Sequence, residues 1–176
     1  MNALRQTTGA LLIATLFLLA GPALADPVQA KGGAFYTHLP ASADFDEVVD
    51  RLTTEILGHN WEVLRVQDID DGLREHYDMD IQNKVIYACK SQYLADAIRE
   101  DPNVTLLVPC RFAVYRVDEA GHAAGADNED GKIVIGVANP TAEADSIGIE
   151  QRAAIEIVTE ELQSMLRTVA EYYHDD

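Results

Sequence analysis

The chain has 176 residues, with 13 Lys plus Arg against 30 Asp plus Glu, 48% apolar residues and two cysteines. A formal net charge of −17 excludes a nucleic-acid or anionic-membrane binder, because no basic patch can dominate that field. The apolar content excludes wholesale disorder, and the length suits one domain.

Met1 to Gly9 carry one positive charge, Arg5, and Ala10 to Ala20 form an apolar run broken only by Thr15. Ala23-Leu24-Ala25 then supplies an A-x-A site. This pattern predicts a signal peptide over 1–25, cleaved before Asp26. The apolar run reaches about 16 Å as a helix, half a bilayer core, which argues against a membrane anchor. No cysteine lies near the cleavage point, which excludes a lipoprotein anchor. The expected location is therefore periplasmic or secreted, with no membrane anchor after cleavage. Cleavage removes Arg5 and makes the net charge one unit more negative, which favours solubility and cationic partners.

Residues 26–33 lack periodicity and read as a flexible leader. Ala34 to His38 reads as a short strand. Phe45, Val48, Val49, Leu52 and Ile56 follow amphipathic helical spacing, which predicts a helix over 42–57 with Ser42 or Asp44 as N-cap and Gly58 as C-cap. Trp61 to Val66 reads as a strand, residues 68–72 as a polar turn, and 73–80 as irregular or one helical turn. Lys84 to Cys89 is an apolar, β-rich run, and Ser91 to Arg99 a short helix stopped by Asp101-Pro102-Asn103.

Val104 to Val117 carries a long strand signal in which Pro109 demands a bulge, an edge or a division into two strands. Residues 118–130 form an acidic loop, and Lys132 to Ala138 returns antiparallel to Phe112–Val117. Ile155, Val158, Leu162, Met165, Val169 and Tyr172 step by three and four, predicting a helix over about 147–173 whose seam packs on a sheet or in a dimer. The order β-α-β-β-α-β-β-α favours an α+β fold, a mainly antiparallel sheet with helices on one face.

Cys89 and Cys110 carry the most pointed chemistry. Cys89 ends a strand at the mouth of the 91–99 helix, and Cys110 stands between Pro109 and Arg111; both settings predict a lowered thiol pKa. If Lys84 and Thr105 begin adjacent parallel strands, each cysteine lies five residues along its strand, so the two are level and share a face. Four readings follow: a structural disulfide worth about 3 kcal/mol, a redox or sulfur-carrying thiol pair, a haem or metal ligand, or two unpaired buried thiols. The chain has no C-x-x-C motif, which weakens the oxidoreductase reading.

The run Val85 to Cys89, the short helix through Ala95 to Ile98, and Leu106-Leu-Val-Pro-Cys-Arg-Phe-Ala-Val-Tyr115 together resemble the bacterial and archaeal family called domain of unknown function 302 (DUF302). The resemblance covers about residues 33–140, and Pro109-Cys110-Arg111 is its most specific part. It departs at Lys90-Ser91, where that family usually has Asn-Pro, and leaves the helix after Thr141 outside the usual pattern. It implies a small α+β domain that tends to dimerise and has no established reaction, with Cys89, Pro109, Cys110 and Arg111 as characteristic positions. The chain then divides into leader segments, a domain over 34–140, and a C-terminal helical segment over 141–176 packed on the domain or at a dimer interface.

Other constellations are weaker. The five histidines are scattered, residues 76–80 read as a polar loop, and the acidic stretches 68–71 and 127–130 do not fit a calcium loop. Tyr87 and Tyr115 flank the cysteines on strands and with Phe112 suit either a pocket or the core. The sequence thus predicts an exported binding module for a small ligand or a partner, centred on Cys89 and Cys110 and bordered by Tyr87, Pro109, Arg111 and Phe112. Catalysis is the less favoured class and no cofactor is expected. The alternatives are a thiol, disulfide or sulfur-handling protein using the same pair, and haem or metal binding through a cysteine. The expected partners are a second copy and a cationic partner or small ligand.

Overall fold

The computed structural model describes residues 26–128, 130–150 and 152–174; the expected signal peptide lies outside them. Six strands form one antiparallel sheet in the order β1-β2-β6-β5-β4-β3. They are β1 (Gln29–Lys31), β2 (Ala34–Leu39), β3 (Glu62–Asp68), β4 (Asn83–Cys89), β5 (Cys110–Val117) and β6 (Lys132–Ala138). The helices are α1 (Phe45–Gly58), α2 (Ile69–Tyr77), α3 (Ser91–Glu100), α4 (Pro140–Ser146) and α5 (Ala153–His174), with a 3₁₀ turn at Pro102–Leu107. The molecule is thus α+β.

α1 begins where Asp44 Oδ1 accepts the Glu47 amide at 2.9 Å, an N-cap followed by Asp46 and Glu47 at the positive end of the helix dipole. Its predicted stripe, Phe45, Val48, Val49, Leu52 and Ile56, is buried as a set. α5 lies beside it on the same sheet face. Ile155, Leu162, Met165 and Val169 of the predicted seam are buried, joined by Leu166 and Ala170, while Tyr172 is 39% exposed. A straight helix turns every 3.6 residues, so a seam read at 3.5 drifts off the buried face towards its end. Alternate strand residues complete the core: Phe35 and Leu39, Ile86 and Ala88, Phe112 and Val114, Ile133 and Ile135.

The structure corrects several local expectations. Gln29–Lys31, read within the leader, pair with β2 through a turn whose Gly32 and Gly33 both hold positive φ, a conformation that favours glycine. Residues 69–77, read as turn and irregular chain, form α2; their polar composition hid a helix with a single buried residue, Asp70. Residues 104–107, read as strand, belong to the 3₁₀ turn, and β5 starts at Cys110. The last helix starts at Ala153 rather than near 147, because α4, capped by Asn139 and opened by Pro140, precedes it.

Candidate functional site

β4 and β5 are antiparallel, which overturns the parallel arrangement that placed the two cysteines level. Cys110 pairs with Ala88, while Cys89 pairs with Glu62 on the other side of β4. Cross-strand partners share a face and neighbours along a strand alternate, so the ladder turns Cys110 toward the side of Ala88 and Cys89 toward the other. Both cysteines are free.

The two residues nevertheless border one cleft, because it lies off the ends of their strands. Trp61, Cys89 and Cys110 border it; Leu94 and Ala97 of α3 with Val104 and Leu107 of the 3₁₀ turn form one wall; Ile155 and Val158 of α5 form the other. The cleft is narrow, about 40 Å³. This end of the molecule has its own small apolar cluster of Ala97, Val104, Ala144, Ile149 and Ile155.

The mouth is held by one carboxylate. Glu161 of α5 accepts Trp61 Nε1 at 2.6 Å, Lys90 Nζ at 2.8 and 2.9 Å, and the Tyr93 hydroxyl at 3.0 Å. The Lys90 ammonium also lies 4.8 Å from the centroid of the Tyr93 ring. Partial burial pushes the Glu161 carboxyl up, but the hydrogen bonds from Lys90, Trp61 and Tyr93 and the Lys90 charge outweigh it and hold it below the usual carboxylate range. Lys90 precedes α3 and Tyr93 sits in its first turn, so Glu161 ties α3 to α5.

The thiol chemistry runs opposite to expectation. Burial, then the neighbouring Cys89, whose own ionisation would compete, and the Glu143 carboxylate push the Cys110 thiol up to about 12; Arg111 opposes this without reversing it, since its guanidinium is exposed and pairs with Glu143 at 3.3 Å. Burial and Glu62 raise the Cys89 thiol against the Lys90 amide, which favours the thiolate. Desolvation outweighs both the helix mouth and the neighbouring arginine.

The other expected site residues disperse. Phe112 is fully buried in the main core. Tyr87 lies along β4 away from the cleft, with its hydroxyl donating to Gln67 at 3.2 Å and Arg65 stacked 4.6 Å from its ring. Pro109, after a cis peptide bond, is not part of the lining, although its neighbour Val108 is. Trp61, Lys90, Tyr93 and Glu161 were not legible as a group, since Glu161 reaches partners 68 to 100 residues away in sequence.

A second, more polar basin of about 350 Å³ gathers Asp46, Asp68, Asp70, Asp71 and Asp80. Two cations face these five carboxylates: Lys84 pairs with Asp46 at 2.8 Å and Asp68 at 3.3 Å, and Arg74 with Asp71 at 3.3 Å. Among the described residues no three His, Cys, Asp or Glu side chains gather to hold a metal ion.

The family profile described as domain of unknown function DUF302 matches residues 37–171, a span that takes in α5, which the sequence reading set outside the family pattern. The crystal structure of an uncharacterized conserved protein DUF302 from Bacillus stearothermophilus superposes with a TM-score of 0.61 at 19% identity, covering 81% of this chain and 99% of that one. That likeness is one of fold. No curated protein matches the chain.

Proposed function

The chain belongs to the DUF302 family, and from that premise we propose that it is a binding module for a small ligand, with the cleft between α3 and α5 as its site. One observation carries this reading: Cys89 and Cys110, distant in sequence, border the same apolar cleft, and three donor atoms of residues that line it, Trp61 Nε1, Lys90 Nζ and the Tyr93 hydroxyl, converge on Glu161. Apolar walls with a few convergent polar groups are the usual composition of a small-molecule site. The signal-peptide pattern supports a role outside the cytoplasm.

Transfer of sulfur or electrons through the cysteine pair has less support. A thiol held protonated is a poor nucleophile, and strand alternation turns the two side chains apart. A haem macrocycle is far larger than the cleft.

Amide chemical-shift mapping with a library of small fragments tests the reading. Shifts clustered at Trp61, Cys89 to Leu94, Val104 to Cys110 and Ala154 to Val158 are the expected result. Shifts confined to the acidic basin, or none at all, would contradict it.

A further inference from the structure

We infer that the ligand taken by this cleft is a small, uncharged, apolar molecule, an inference that rests on the binding reading above and specifies its chemistry. The walls offer aliphatic side chains and the two thiols. The polar groups at the mouth are already committed, since the Lys90 ammonium, the Trp61 indole N–H and the Tyr93 hydroxyl all donate to Glu161. Their charges cancel in a pair whose side chains are only 13% and 21% exposed. A charged head group placed there must break that pair or remain uncompensated in a poorly solvated site, and either course is costly.

No buried side-chain nitrogen or oxygen at the cleft is left without a partner for a polar ligand to satisfy. Among the described residues, the buried side-chain polar atoms without a partner are Thr37 Oγ1, Arg51 Nε and Tyr173 Oη, and none of these residues borders the cleft. Both thiols stay protonated at neutral pH and add no charge. Size sharpens the class further. An apolar cavity of about 150 Å³ accepts benzene, so a cleft of about 40 Å³ suits a short alkyl chain or one end of a slim molecule that projects through the mouth.

The charge pattern makes a specific test available, because Trp61 is the sole tryptophan of the chain and stands at the cleft. The protein is titrated at neutral pH with 1-butanol, butanoate and butylammonium, which share an alkyl chain and differ in charge, while Trp61 emission is read. A saturable change with 1-butanol, and binding of both ions at least about tenfold weaker, is expected. Ala154→Phe fills the cleft and removes the response; a response that persists places the binding elsewhere and overturns the inference.

Two variants invert the preference. Glu161→Gln leaves the Lys90 charge unmatched, so butanoate gains about tenfold on 1-butanol. Lys90→Met leaves the Glu161 charge unmatched, so butylammonium gains instead; this second variant keeps the test open should the first fail to fold. If either ion matches 1-butanol on the unmodified protein, the uncharged class is wrong while the cleft remains a binding site. A response to none of the three compounds also overturns the inference, and fragment mapping then decides separately whether the binding reading falls with it.

Discussion

The main core and the end cluster are held together differently. Between the sheet, α1 and α5, large side chains such as Leu52, Ile86, Phe112, Ile135, Leu162 and Val169 are fully or nearly fully buried. The end cluster has five buried residues, two of them alanines, and α3 contributes to it the buried Ala97 with Leu94 partly buried against it. Apolar contact maintains the first region, whereas the second depends on the polar network at Glu161 to keep α3 against α5. Regions with few buried contacts open at lower free energy than the global fold, which suits them to admitting a ligand. α5 joins the two, with Ile155 in the end cluster and Leu162 to Ala170 in the core.

The cysteines stand on the border between these regions, so their reactivity measures the contrast most steeply. At pH 8 a thiol with a pKa of about 12 holds roughly a thousandfold less thiolate than an ordinary cysteine. Mass spectrometry of the native protein during iodoacetamide treatment should therefore find Cys110 modified slower than a free thiol by that order, with Cys89 reacting first. Equal and rapid labelling of both would place Cys110 outside the core's reach.

Substitutions probe the same contrast. Leu162→Asp sets a charge in the main core and should cost at least about 4 kcal/mol in urea unfolding, much of the stability of an ordinary domain. Ile149→Ala removes a comparable apolar side chain from the thinner cluster, where relaxation is easier, and should cost about 2 kcal/mol. A larger loss at Ile149 than at Leu162 would reverse the ranking of the two regions.

Glu161→Gln should cost about 1–2 kcal/mol through the weakened network. It should also change the acid limb of the stability profile. The Glu161 carboxyl lies lower in the folded chain than when unfolded, so its contribution is fully present above its ordinary value near 4.5 and is lost as pH falls through the lowered folded value. The variant should lack that part of the acid loss, and a profile parallel to the unmodified protein's throughout would show that the charge on Glu161 does not hold the network. Smallest is Asp44→Ala, which removes the α1 cap for about 1 kcal/mol and leaves the cleft untouched.

The core region was the more legible in sequence for the same physical reason that makes it stable. Helices and strands that bury a face show it as period, so the stripe of α1, the seam of α5 and the apolar run of β4 could be read directly. α2 buries one aspartate and shows no such period. Val104 to Leu107 are β-rich in composition, yet they turn because the Asp101 side chain caps the Asn103 amide at 2.9 Å and Pro102 opens a helical turn. The cysteines stood out by their setting at a strand end, a helix mouth and beside Arg111, but the expected direction of their ionisation was wrong, since sequence shows neighbouring charges and hides desolvation. Trp61, Lys90, Tyr93 and Glu161 meet through tertiary contact alone.

Amide hydrogen exchange, with and without saturating 1-butanol, tests most directly that the cleft between α3 and α5 is the ligand site. Slowed exchange confined to residues 91–107 and the first turns of α5, with α1 and β5 unchanged, is the predicted result. Uniform slowing, no slowing, or slowing only around Asp46 and Lys84 would contradict it.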